Sequence, residues 1–115
     1  MRPIPVSWLC HSAELYATKT DAWQRAVDEK LCDWLRVRLE PSARRVLRGN
    51  VEEQATLTLF ADAVASDLGG HTPEIGQIVR HDGRRYEVAR VETLYDRNRL
   101  HHWELELICR GGGNA

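Results

Sequence analysis

The sequence predicts an all-β chain: a small antiparallel β-barrel of about five to seven strands with one long loop and room for one short helix. Three observations carry this. Short stretches alternate apolar and polar residues with period two, the pattern of a strand with one buried face. Turn chemistry separates them, most clearly at His81-Asp82-Gly83-Arg84 and Asp96-Arg97-Asn98-Arg99. No internal repeat of roughly 20–50 residues suggests a solenoid.

Taken in order, Pro3 and Pro5 impose an extended lead-in. Trp8 to Thr18 follows as a strand, although its apolar residues do not settle on one face. Lys19 to Lys30 supports two readings. Thr20 or Asp21 can cap a helix with Trp23, Ala26 and Val27 at helical spacing, or the stretch is a hairpin arm with its own turn. Leu31 to Glu40 is clearer. Leu35, Val37 and Leu39 alternate with Trp34, Arg36, Arg38 and Glu40, so Arg36 and Arg38 form a basic strand face opposite the core. Pro41 ends this strand.

Pro41 to Gln54 has the composition of a loop, with Gly49-Asn50 near its middle. A structureless loop of this length is uncommon in a compact domain and is usually functional or disordered. Ala55 to Ala61 alternates again, Leu57, Leu59 and Ala61 against Thr56, Thr58 and Phe60. A loop through Asp67-Leu68-Gly69-Gly70 leads to Pro73. Thr72 to Ile108 then reads as a hairpin and a third strand. Asp82-Gly83 suits a two-residue type I′ turn, which requires positive φ at both central positions. Tyr86 and Val88 share one face, and Ala89 and Val91 the other, so the strand either faces two core layers or carries a β-bulge. Trp103, Leu105, Leu107 and Cys109 alternate with His102, Glu104, Glu106 and Ile108, the latter forming the outer face. Residues 1–110 are expected to form a single domain and 111–115 a flexible Gly-rich tail.

Composition narrows the function. The chain has 115 residues, a net charge of −1 and 29% charged residues, which excludes a strongly basic nucleic-acid binder and an acidic tail protein. No apolar run suits a membrane span, and the N-terminus lacks the apolar core of a signal peptide, so a soluble intracellular chain is expected. Cys10, Cys32 and Cys109 are odd in number and widely spaced, unlike a disulfide framework.

Chemistry-bearing motifs are missing. His101 and His102 are adjacent in a strand, so their rings should point to opposite faces and not chelate together; Cys10-His11 has the same geometry. There is no Cys-x-x-Cys, no Gly-rich phosphate loop and no Gly-x-Ser-x-Gly. No catalytic, metal or cofactor-binding residue is expected, and the chain reads as a non-enzyme. Arg36, Arg38, Arg44, Arg45 and Arg48 are opposed in their segment only by Glu40. A solvated face running into a charged loop accounts for them, and weak, transient contact with passing DNA needs no more than this. Trp8, Trp23 and Trp34 are suited equally to core filling and to an interface.

Several segments together resemble a known family: Val37-Arg38-Leu39-Glu40-Pro41-Ser42, Leu59-Phe60-Ala61-Asp62, the hairpin Gly76-x-x-Val79-x-x-x-Gly83-x-x-Tyr86-x-Val88, Leu94-Tyr95-Asp96, and Leu100-His101-His102-Trp103-Glu104. In this order and spacing they are similar to the minor capsid proteins of tailed bacteriophages and prophages, and to head-closure (stopper) and head–tail joining proteins. The resemblance implies a β-barrel that assembles as a homo-oligomeric ring in the virion, between the portal with its adaptor and the tail. Such a ring retains packaged double-stranded DNA and docks the tail, after assembly in the host cytoplasm. It also implies a long loop projecting toward the channel. Pro41 to Gln54 occupies that position, making Arg44, Arg45 and Arg48 candidate DNA-facing residues. Two alternatives stand beside it: a tail-terminator ring protein, which a helix at 19–30 would favour, and a small-barrel module for nucleic acid or peptide, with Arg36 and Arg38 as its contacts.

Overall fold

A 3-10 turn at Val6–Trp8 precedes eight strands: β1 (His11–Thr20), β2 (Ala26–Pro41), β3 (Arg45–Arg48), β4 (Val51–Gln54), β5 (Leu57–Asp62), β6 (Ile78–His81), β7 (Arg84–Asp96) and β8 (Arg99–Asn114). This computed structural model describes residues 4–42, 45–48, 51–54 and 56–114, with side chains described for 4–42 and 56–109. Six antiparallel strands close on themselves in the order β1-β2-β5-β8-β7-β6, and β3 with β4 form a separate two-stranded sheet. The expected all-β class is the observed one. β8 continues to Asn114, so the boundary expected at residue 110 falls inside a strand.

Every strand of the closed sheet sends apolar side chains inward. Leu15, Trp34, Val37, Leu59, Val79, Val88, Leu105 and Leu107 are all fully buried. Each contributes about 1.5–3 kcal/mol of transfer free energy, set against the entropy of ordering the chain. The turn from β6 to β7 is the Asp82-Gly83 turn, with φ of 53° and 76°. The turn from β7 to β8 falls at Arg97-Asn98 as expected, with Arg97 at φ 60°.

Register shifts interrupt the β1–β2 and β7–β8 pairings at five points, and three of them bear on the faces read from the sequence. In β2, Arg36 has φ 56°, and the register steps from His11↔Val37 to Ser12↔Leu35 around it. The expected face of Leu35, Val37 and Leu39 is therefore split. Trp34 goes inward, Leu35 is left 39% exposed, and Val37 and Leu39 return to the core. The bulge is held from outside. Leu35 exchanges backbone hydrogen bonds with Asp67 (2.8 and 2.9 Å), Arg36 Nε donates to the Ala65 carbonyl (2.7 Å), and the Ser66 hydroxyl donates to the Arg36 carbonyl. Asp62 in turn accepts the backbone N–H groups of Val64 and Ala65 (2.9 and 2.7 Å), which shapes this connection. Gly69 (φ 62°) lies so close to β2 that a Cβ there would stand 2.7 Å from the Cys32 Cβ.

The second bulge lies between Val88 and Arg90 in β7 and explains the face change foreseen there. Ala89 turns away from the main core and pairs with Ile108 in a small second cluster. The third lies between Leu94 and Tyr95, where the partners step from His102 to Leu100. It breaks the alternation assumed for His101 and His102. Their rings meet edge to face, with Nδ1 atoms 2.7 Å apart, rather than on opposite sides.

Two segments depart from the simplest reading. Residues 19–30 form no helix: they are the end of β1, a turn and the start of β2, the hairpin alternative. Residues 45–48 and 51–54 are not part of a structureless loop but the paired strands β3 and β4, with Arg45 opposite Gln54 and Arg48 opposite Val51. The long connection instead runs from β5 to β6.

Candidate interaction surface

The β1–β2 hairpin outgrows the closed sheet. β1 pairs with β6 only through Glu14 to Tyr16, and β2 pairs with β5 only from Val37 onward. Ala17–Thr20 and Ala26–Glu29 are paired with each other alone, forming a projecting arm. The molecule's extents of 48 × 31 × 26 Å are correspondingly elongated. A tight turn ends the arm. Asp21 Oδ1 accepts the N–H groups of Trp23 and Arg25 (both 2.9 Å), and Arg25 Nε donates to Oδ2 (3.1 Å). These bonds hold the Asp21 carboxyl below its usual range, the Arg25 backbone N–H contributing most. Gln24 closes the turn in the left-handed region, at φ 62°. At the tip, Trp23 is 77% exposed.

At the arm's base sits a charge cluster. Asp28 accepts two bonds from Arg85 (2.7 and 3.1 Å) and one from the Thr18 hydroxyl (3.1 Å), and Arg80 Nη2 lies 3.5 Å away. The Arg80 guanidinium also covers the Tyr16 ring at 4.6 Å. Arg85, foremost, pulls the Asp28 carboxyl below its ordinary value. The unfolded chain therefore takes up this proton first as pH falls. The stabilisation is complete above the ordinary aspartate range and is lost on acidification through the lower folded value. Because the cluster lies near solvent, Asp28→Ala should cost only about 1–2 kcal/mol at pH 7. Urea unfolding should show the variant and the native chain converging toward pH 3; a constant difference across pH would contradict the assignment.

The expected basic stripe is broken up. Arg36 is the bulge residue and reaches toward Ala65. Arg38 Nε contacts Glu40 (3.2 Å), its Nη1 donates to the Trp8 carbonyl (3.3 Å), and its guanidinium stacks 4.8 Å from the Trp8 ring. Trp8 packs edge-on against Phe60 at 5.1 Å. Nearby, His11 Nδ1 accepts the Leu39 N–H (3.0 Å), and burial, then His81 and Arg38, lowers its pKa. The three candidate tryptophans thus separate: Trp8 half-buried, Trp34 in the core, Trp23 on the surface. Arg44 lies outside the described residues. Arg45 and Arg48 begin and end β3, and their side chains lie outside them too.

Glu106 was expected on a solvated outer face but is only 1% exposed. Its Oε2 accepts the hydroxyls of Ser42 (2.8 Å) and Thr58 (3.0 Å). Ser42 is also where the β3–β4 hairpin leaves the closed sheet, its N–H donating to the Thr56 carbonyl (3.1 Å). A buried carboxylate therefore fixes the hairpin's root. Burial of this outward position goes with those two hydroxyl partners, one at the hairpin's root and one on β5. A strand pattern alone has no signal for this; Ser42 and Thr58 are distant in sequence.

Among the described residues, no group of three His, Cys, Asp or Glu side chains could hold a metal ion. None of their helices is long and apolar enough to cross a membrane. A family model described as minor capsid protein matches residues 5–107. No curated protein and no solved structure matches the chain.

Proposed function

This chain belongs to the minor capsid protein family, a structural component of the phage virion that meets other virion proteins, and from that premise we propose that it is a head-closure subunit. In this reading copies form a ring between the portal with its adaptor and the tail, retain the packaged double-stranded DNA and dock the tail, without catalysis. The supporting observation is a closed sheet from which two hairpins depart, the β1–β2 arm and the β3–β4 hairpin, one from each end of β2. The closed sheet offers a rigid wall; the hairpins offer contacts to neighbours and to the channel. Arg36 and Arg38 hold partners within the chain, which favours this reading over a free nucleic-acid-binding module. Residues 19–30 form a hairpin, not the helix that would favour a tail terminator.

The test is genetic. Phage lacking this chain should fill heads that then lose DNA and carry no tails. Normal tailed, DNA-filled particles without it would end the proposal.

A further inference from the structure

Two aromatic side chains stand out on the surface, Trp23 at 77% and Tyr95 at 58% exposure. Strand order and direction relate them. In the closed order β1-β2-β5-β8-β7-β6, the β1–β2 pair is separated from the β7–β8 pair by β5 on one side and β6 on the other. The two hairpins therefore form opposite walls. Strand directions alternate around the sheet, so both hairpins turn at the same rim, β1–β2 at residues 21–25 and β7–β8 at residues 97–98. In a cyclic assembly each copy meets one neighbour through one wall and the next through the opposite wall, at the same height.

We propose that the arm of one copy, led by Trp23, packs against the β7–β8 hairpin of the next copy at Tyr95, making a head-to-tail contact that closes the ring. This rests on the ring reading above and names its contact. The arm is built for such a role. Its turn is fixed by Asp21, and a non-glycine residue is held at positive φ, a strained conformation that tends to persist at functional positions. Its charges are largely settled within the arm, Lys19 with Glu29 and Arg25 with Asp21, so docking need not strip unpaired ions of water. A standard interface buries about 800 Å² per partner. One aromatic side chain supplies about 150–250 Å², so Trp23 acts as the anchor and the flanks of residues 17–29 supply the rest. Trp and Tyr are also the residue types that dominate such anchors.

The test uses whole particles with Cys10→Ser and Cys109→Ser, adding Ala22→Cys and Asn98→Cys, which flank the two aromatics. Oxidation should produce a ladder of multimers of this chain, and either added cysteine alone should produce none. Trp23→Ala should melt like the native chain, since its side chain is exposed, yet cut incorporation into particles by about tenfold or more. Three results overturn the contact while leaving the ring intact: dimers from Ala22→Cys alone, cross-links to a different virion protein, or full incorporation of Trp23→Ala. Particles that hold the chain but no ring of it overturn both readings.

Discussion

Trp34→Ala should cost about 3–5 kcal/mol, a large part of the roughly 5–15 kcal/mol by which a domain is stable. The indole is fully buried among side chains from both halves of the closed sheet. It reaches the core only because Arg36 bulges and shifts β2 by one residue, so no neighbouring side chain can take its place. Its Nε1–H is buried without an acceptor among the described residues. That group opposes folding, since an unmet buried donor costs about 1–3 kcal/mol. Trp34→Phe removes the donor and keeps a ring, so it should recover most of the loss. Urea unfolding with unchanged m-values would measure both. A small effect for Trp34→Ala would mean that the core is not organised as described.

Replacing Val46–Glu53 with Gly-Asn should leave the closed sheet folded and abolish DNA retention. The replacement leaves Arg45 and Gln54, which already face each other, joined by a two-residue turn. The root is kept: Ser42 still bonds Thr56 and Glu106, and the Thr56 N–H still donates to the Leu107 carbonyl at 2.7 Å. The melting temperature should move by only a few degrees, about what a loss near 1 kcal/mol produces. Particles should build and fill heads that then leak. A collapse in melting temperature would instead make the hairpin part of the core through its approach to β7, and the retention role would fail.

How much was legible in the sequence depends on the range of the interaction. The Asp82-Gly83 and Arg97-Asn98 turns were readable because turn chemistry is local. The change of face at Ala89 was readable, as a bulge or a second core layer, because the apolar side switches within a few residues. Gly49-Asn50 between two short runs is itself a two-residue hairpin signal, but the charges around it gave the segment the look of a loop. The Arg36 bulge was not readable. Leu35, Val37 and Leu39 alternate cleanly, and the residue that breaks the phase is an arginine at positive φ, held there by Ala65, Ser66 and Asp67 from beyond the next strand. His101 and His102 failed for the same reason. Glu106 shows the limit most plainly: the hydroxyls that receive its buried carboxylate, on Ser42 and Thr58, lie 64 and 48 residues away in the sequence. Among the candidate interface residues, three tryptophans of one type met three environments, and only pairing register separated Trp34 in the core from Trp23 on the arm.

In the proposed reading, copies of this chain form a ring between portal and tail. An electron cryo-microscopy reconstruction of the neck of the mature particle tests it most directly. The expected result is a closed ring of this chain at that level, with the β3–β4 hairpin directed to the channel and the β1–β2 arm of each copy against the β7–β8 hairpin of the next. A neck resolved without this chain, or this chain found as isolated copies elsewhere on the capsid, would contradict it.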